Sequence, residues 1–129
     1  MSKVQSNTFR YLFTPSAHGV PPAPTHSEEI EYVFANLGVR RLVVRTFDST
    51  DYALSNAMSD AGVRFAATGD PNGGTLPHWP AYDGAADPYR KFGDSVRIGR
   101  GWRTPYLDFV ERFLTNRSAR LRDLDLPWR

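Results

Sequence analysis

The sequence predicts an α/β fold with two or three short strands, about three helices and long irregular loops. Apolar residues recur at helical spacing in three segments, and short aromatic or β-branched runs lie outside them. Ten glycines and ten prolines among 129 residues fit long irregular connections. Two or three strands cannot complete a parallel sheet, whose two faces must both be covered, so we expect a piece of a larger domain.

The first predicted strand covers residues 8–13, which are rich in aromatic side chains. Residues 15–24 contain four prolines and are expected to form a loop. The first helix is expected to begin at about Thr25, which stands at capping-box spacing from Glu28, and to stop at Gly38. Its apolar face would consist of Ile30, Val33, Phe34 and Leu37.

A second helix is predicted over residues 50–68, with a cap at Asp48 or Ser49 and a stop at Gly69. Gly62, inside this helix, indicates close packing against a neighbour, because glycine weakens a helix by about 1 kcal/mol relative to alanine. The apolar stripe of this helix would consist of Leu54, Ala57, Met58, Ala61 and Phe65.

The remaining elements are less regular. Residues 70–74 have turn chemistry, residues 76–91 are expected to be irregular but packed, and short strands are predicted at 40–47 and 94–98. A third helix follows a cap at Thr104, with Pro105 in its first position. Its apolar face would consist of Tyr106, Phe109, Val110, Phe113 and Leu114. We treat residues 1–129 as one partial domain and expect the charged tail, residues 116–129, to be loosely ordered.

Composition excludes several classes of function. The net charge of +2 is too small to favour a nucleic acid or an acidic membrane. The chain has no cysteine, which excludes disulfides, thiolate metal sites and a cysteine nucleophile. Its three histidines lack the spacing of metal ligands, so no metal and no cofactor are expected. Neither a signal peptide nor a span of ~20 apolar residues is seen, so we expect a cytoplasmic protein.

Residues 25–34 carry a motif centred on a histidine. His26 is followed three residues later by Glu29, and then by apolar and aromatic residues through Phe34. Residues 65–73 (Phe-Ala-Ala-Thr-Gly-Asp-Pro-Asn-Gly) and 79–82 (Trp-Pro-Ala-Tyr) follow in order. Together these segments resemble the type-B carboxylesterase and cholinesterase family, in which the motif is His-Gly-x-Glu. Ser27 therefore stands where the family has glycine.

The resemblance implies the C-terminal fragment of an α/β-hydrolase fold, in which serine, glutamate and histidine of the triad follow in that chain order. It implies that His26 holds the triad histidine position and that Glu29 is a supporting carboxylate near the site. The residues alone leave another interpretation open for each. His26 would be a surface histidine without chemistry, and Glu29 a solvated helix charge beside Glu28 and Glu31.

The sequence offers no matching nucleophile. None of the serines at positions 16, 27, 49, 55, 59, 95 and 118 has both glycines of a Gly-x-Ser-x-Gly elbow. We therefore expect a truncated carboxylesterase that lacks nucleophile, acid and oxyanion hole and is inactive alone. The alternative is a non-catalytic interaction protein, or one half of a split esterase. The partner would be a complementary N-terminal esterase half, and a small ester would bind only to the complemented site.

Overall fold

The computed structural model describes residues 7–15, 24, 26–39 and 46–122. These residues form three strands and three helices, which confirms the predicted α/β class. In chain order the elements are β1 (Tyr11–Thr14), α1 (Glu29–Val33), α2 (Ser49–Thr68), β2 (Pro88–Gly93), β3 (Arg97–Arg100) and α3 (Thr104–Arg122). None of the helices in these ranges combines the length and hydropathy that a membrane crossing requires.

The strands form one mixed sheet in the order β1-β2-β3. Strand β1 runs parallel to β2, with Tyr11 opposite Arg90, and β2 runs antiparallel to β3, with Arg90 opposite Ile98. Gly93 lies so close to β1 that a Cβ atom at this position would stand 2.8 Å from the backbone oxygen of Thr14. A side chain there would force the two strands apart, so this pairing requires glycine.

Helix α2 agrees with its prediction to within one residue. The carboxylate of Asp48 accepts hydrogen bonds from the backbone N–H of Thr50 and Asp51, at 2.8 and 3.1 Å. The Asp51 carboxylate accepts one in return from the Asp48 N–H at 3.0 Å, which completes a capping box. Gly69 ends the helix in the left-handed conformation, with φ of 77°.

The core lies between α1, α2 and the sheet. Its buried apolar side chains are Tyr32, Leu54, Met58, Ala61, Trp79 and Phe92. Phe9 and Phe13 pack against this core from the β1 side. The prediction of close packing at Gly62 was wrong, because a Cβ atom there would meet no heavy atom within 4 Å.

Helix α1 is shorter than predicted. It covers Glu29–Val33, and residues 26–28 form a turn. The predicted start at about Thr25 and stop at Gly38 are therefore both wrong. Thr25 itself lies outside the described residues. The buried face also differs, since Tyr32 is 1% exposed and Phe34 is 70% exposed. Tyr32 is drawn inward by an edge-on contact with Phe13, at 5.0 Å between ring centroids, and by a polar partner on α2.

Two further predictions change. The irregular segment predicted at 76–91 ends in strand β2, and β3 lies at Arg97–Arg100 instead of 94–98. Residues 40–45 of the predicted strand at 40–47 lie outside the described residues. Helix α3 begins at Thr104, as predicted, and continues to Arg122, into the tail expected to be loosely ordered. Residues 123–129 lie outside the described residues, and the loose order of the tail stays a prediction.

The polar partner of Tyr32 is the carboxylate of Asp51. The Tyr32 hydroxyl donates to it at 2.5 Å, and Asp51 is itself buried. The Ser55 hydroxyl donates to the Tyr32 carbonyl at 3.0 Å. These two hydrogen bonds join α1 to α2. They thereby hold α1, and the turn that precedes it, against the core.

Replacing Tyr32 by phenylalanine is expected to lower the free energy of unfolding by roughly 1–3 kcal/mol. The substitution keeps the ring but leaves a buried carboxylate oxygen without its hydroxyl donor. Urea unfolding followed by circular dichroism measures the change, and Tyr52→Phe is the matched control because Tyr52 is exposed on the neighbouring helix α2. Equal losses in the two variants would contradict this role for the Tyr32–Asp51 bond.

Candidate functional site

The candidate site lies in the turn before α1, which follows β1 in the chain. His26 opens this turn and its side chain is exposed. The turn is closed by a hydrogen bond from the Ile30 N–H to the Ser27 carbonyl at 3.3 Å. Ligands of open α/β sheets bind outside the carboxyl ends of the strands, so a segment that follows a strand in the chain is one in which chemistry is expected.

Ser27 has a left-handed backbone, with φ of 71°. Side chains with a Cβ atom are disfavoured in this region by roughly 1–2 kcal/mol, whereas glycine enters it freely. The turn that follows His26 therefore requires the conformation for which glycine is best suited. This explains why the motif that residues 25–34 resemble has a glycine here. It also explains why the backbone is strained at Ser27, which replaces that glycine.

Replacing Ser27 by glycine is expected to stabilise the chain by roughly 0.5–1 kcal/mol, because relief of the strain exceeds the added freedom of the unfolded chain. Ser27→Ala is the control, since it removes the hydroxyl and keeps the Cβ atom. Thermal unfolding should show a higher midpoint for the glycine variant alone. A lower midpoint for Ser27→Gly than for Ser27→Ala would contradict the strain at this position.

Glu29 is the first residue of α1 and is partly buried. Its charge acts on Tyr11 of β1: burial raises the pKa of the Tyr11 hydroxyl, and the nearby Glu29 carboxylate raises it further. Among the described residues, no hydrogen bond or ion pair joins His26 to Glu29. The role of Glu29 as a supporting carboxylate stays a prediction.

Neither Ser55 nor Ser27 has the features of an activated nucleophile. Ser55 is buried on α2, and its hydroxyl donates to the Tyr32 carbonyl. Ser27 is the nearest serine in sequence, but it has no flanking glycine. Within the described ranges, no group of three or more acidic or imidazole side chains could hold a metal ion. An imidazole can take or give a proton, and such a role for His26 stays a prediction.

The two downstream motifs meet through one asparagine. The side-chain amide of Asn72 donates to the Trp79 carbonyl at 2.9 Å and accepts from the Trp79 N–H at 2.6 Å. Asp70 fixes this amide by accepting from it at 2.7 Å, and hydrogen bonds from the Asn72 backbone and side chain lower the pKa of the Asp70 carboxyl. The Trp79 indole N–H donates to the Arg10 carbonyl at 3.0 Å, so the second motif is bonded to the residue just before β1.

Arg90 is a buried charge that the sequence interpretation missed. It is 1% exposed, its guanidinium lies 4.7 Å from the Trp79 ring, and it donates to the Pro77 carbonyl. Burial lowers the pKa of Arg90, and the Arg64 charge lowers it further. In strand β2 the buried residues alternate, at Pro88, Arg90 and Phe92. This alternation could have predicted the strand, but a charged residue at the middle position does not look like a buried one.

Comparisons with known proteins find several relatives of this chain. A model described as the carboxylesterase family matches residues 1–110. The chain is 38% identical over 111 residues to the fumonisin B1 esterase of Sphingopyxis macrogoltabida, a match that covers 78% of this chain and 19% of that protein. It is 33% identical over 123 residues to the acetylcholinesterase of Gallus gallus, covering 92% of this chain and 15% of the relative.

Solved structures agree on the fold. A thermophilic PNB esterase superposes with a TM-score of 0.66 at 24% identity, covering 76% of this chain and 20% of that chain. A carboxylesterase of Geobacillus stearothermophilus superposes with a TM-score of 0.56 at 30% identity, covering 71% of this chain and 19% of that chain. The 129 residues thus correspond to about one fifth or less of each of these proteins.

Proposed function

Because this chain belongs to the carboxylesterase family, we propose that it is a truncated carboxylesterase that keeps the triad histidine position at His26 and is inactive alone. The observation that carries the proposal is the turn after β1. There His26 is exposed, and the residue beside it has the left-handed backbone that suits the motif's glycine.

The imidazole of His26 would act as a general base and then as a general acid. In a serine esterase the histidine takes the proton of the serine hydroxyl as that oxygen attacks the ester carbonyl. It then gives the proton to the departing alcohol oxygen, and a water repeats the sequence to release the acid. His26 would supply only this proton transfer, because the resemblance assigns the nucleophile, the acid and the oxyanion donors to the part of the family's domain that these residues do not match.

A chimera tests the proposal. The present chain would replace the segment that it matches in the Sphingopyxis fumonisin B1 esterase, so that the rest of that protein supplies the missing parts of a site. The expected result is hydrolysis of p-nitrophenyl acetate by the chimera. A folded chimera without turnover would contradict the proposal, provided that the unmodified relative hydrolyses the same ester.

The alternative, an interaction protein or one half of a split esterase, is favoured by the exposed face of α3. The large apolar side chains exposed on this helix are Tyr106, Leu107, Phe109, Phe113 and Leu114. An apolar face of this size is typical of a surface that binds another protein. Light scattering on the purified chain separates the possibilities, because a stable monomer that unfolds cooperatively would argue against an obligate partner.

A further inference from the structure

An apolar cleft lies between helix α2 and strand β1. Gly62 and Phe65 line it on α2, Tyr11 lines it on β1, and the buried ring of Trp79 also lines it. The cleft has a volume of about 250 Å³. This is larger than the ~150 Å³ apolar cavity that holds a benzene molecule, so a small ligand with one aromatic ring fits inside. Tyr11 and Phe65 are 44% and 43% exposed, so solvent reaches the lining.

The guanidinium of Arg64 stands beside this cleft. Its Nε–H donates to the carbonyl of Pro71 at 3.3 Å, and Pro71 itself lines the cleft. The Arg64 stem lies against the turn after α2, since a Cβ atom at Gly73 would stand 2.9 Å from its Cδ. Among the described residues, no carboxylate forms an ion pair with Arg64. The other N–H groups of the guanidinium are therefore available to an anionic ligand.

Arg90 places a second positive charge behind the cleft. Its guanidinium lies 4.7 Å from the Trp79 ring and 5.8 Å from the Phe92 ring, and both rings line the cleft. Arg90 is 1% exposed, and its Nε–H has no hydrogen-bond partner in the part of the chain that the structure describes. Buried charges are usually paired, yet no described carboxylate forms an ion pair with Arg90. The Arg64 charge helps to lower the pKa of Arg90, so the two cations are close enough to repel each other.

We infer that the cleft binds a small carboxylate with an apolar body. The ring or short aliphatic chain of this ligand lies against Phe65 and Trp79, and its carboxylate accepts hydrogen bonds from the Arg64 guanidinium. Charge complementarity argues for this occupant, because guanidinium and carboxylate form strong, charge-assisted hydrogen bonds. The buried Arg90 charge adds to the attraction, since apolar walls screen it less than water does.

The charges around the cleft also set the orientation of the ligand. The carboxylate of Glu29 acts on the hydroxyl of Tyr11, which lines the cleft, whereas Arg64 lies at Pro71. A ligand carboxylate near Tyr11 would be repelled by Glu29, and one near Pro71 would be attracted by Arg64. This inference does not depend on the proposed function, because it uses neither His26 nor the missing part of an esterase.

Phenylacetate is the probe that tests the inference, and phenylacetamide is its neutral counterpart of nearly the same shape. NMR titration of the purified 129-residue chain gives a Kd for each, from the indole N–H signal of Trp79 and the backbone amide of Phe65. Phenylacetate should bind about tenfold more tightly than phenylacetamide, because only the carboxylate forms charge-assisted hydrogen bonds.

Replacing Arg64 by glutamine tests the charge. This variant should weaken phenylacetate binding by about tenfold and leave phenylacetamide binding nearly unchanged. Arg112→Gln is the matched control, because Arg112 is an exposed arginine on α3 and does not line the cleft. It removes the same charge from the chain, so any effect of net charge alone appears in both variants.

Replacing Gly62 by leucine tests the apolar part of the cleft. A Cβ atom at Gly62 would meet no heavy atom within 4 Å, so the new side chain has room to occupy the cleft. The fold should be kept, because leucine is a better helix former than glycine. Both probes should bind about tenfold more weakly, since the ring loses its place. Val63→Leu is the matched control, because Val63 is 66% exposed and does not line the cleft.

Each outcome decides the inference. Absence of binding, or equal Kd values for the two probes, would overturn it in the unaltered chain alone, whether or not the variants fold. Equal losses in Arg64→Gln and Arg112→Gln would overturn the assignment of the carboxylate to Arg64. A dimer seen by light scattering, from which phenylacetate is excluded, would assign the cleft to a second copy. An inactive esterase chimera would contradict the proposed function and leave these Kd values as expected.

Discussion

Replacing His26 by glutamine in the chimera is expected to lower kcat/KM for p-nitrophenyl acetate by about 10⁴-fold or more. Glutamine is similar in size but cannot take the proton of an attacking hydroxyl, and removal of a triad member costs rates of this order. The turn should be kept, because His26 is exposed and no described residue depends on it for a hydrogen bond.

His78→Gln is the matched control for this experiment. His78 is an exposed histidine beside Trp79, in the segment that anchors β1, and nothing places it in the turn before α1. Its loss should change kcat/KM by less than about threefold, in keeping with the small effects of most surface substitutions. A similar fall in both variants would show that the His26 effect is not one of proton transfer.

Replacing Trp79 by alanine is expected to destabilise the chain by about 3–5 kcal/mol, a larger loss than that expected for Tyr32→Phe. The indole is buried, and it packs edge-on against Phe9 and Phe92 with ring centroids 5.7 Å apart in both pairs. It also covers the Arg90 guanidinium, which would lose its aromatic neighbour. A loss of this size is a large part of the 5–15 kcal/mol by which a domain is usually stable, at about 25 °C.

Urea unfolding followed by circular dichroism measures this loss of stability. Two further variants serve as comparisons. Trp102→Ala removes an exposed indole that contacts Arg103, and it should cost less than about 1 kcal/mol. Trp79→Phe keeps a ring in the core and should fall between the two alanine variants. A Trp79→Ala chain as stable as Trp102→Ala would contradict the central place of Trp79 in the core.

Helix α2 could be predicted from the sequence because every signal for it is local. Asp48 caps its first turn, Gly69 ends its last, and Leu54 and Met58 recur at helical spacing between them. Helix α1 offered similar local signals at Thr25 and Gly38, but they misplaced its ends and its buried face. The inward orientation of Tyr32 depends on Asp51, which is nineteen positions away in sequence, and no pattern within α1 reports that contact.

Strand β2 was missed for a related reason. Its core-facing positions alternate along the chain, as expected for a strand. Arg90 occupies the middle one, and a charged residue is usually interpreted as solvent-exposed. Its burial is tolerated because Trp79 and Pro77 supply a ring face and a carbonyl, and these belong to an irregular segment. Local pattern cannot anticipate such partners.

The sequence motif located the candidate site, and the backbone conformation explains why the motif contains a glycine. The sequence placed His26 by resemblance and showed Ser27 as a departure from the family. The left-handed φ of Ser27 shows why glycine suits this position. The relation of Glu29 to Tyr11 could not be foreseen, because it depends on how α1 packs beside β1.

The central proposal is that the chain keeps the position of the triad histidine but cannot catalyse alone. An esterase assay of the purified 129-residue chain tests it most directly. The proposal predicts that p-nitrophenyl acetate is hydrolysed no faster than in buffer, and that a fluorophosphonate probe, which labels activated serines, labels none in this chain. Turnover above buffer that the same probe abolishes would contradict it, because such turnover requires a nucleophilic serine within these residues.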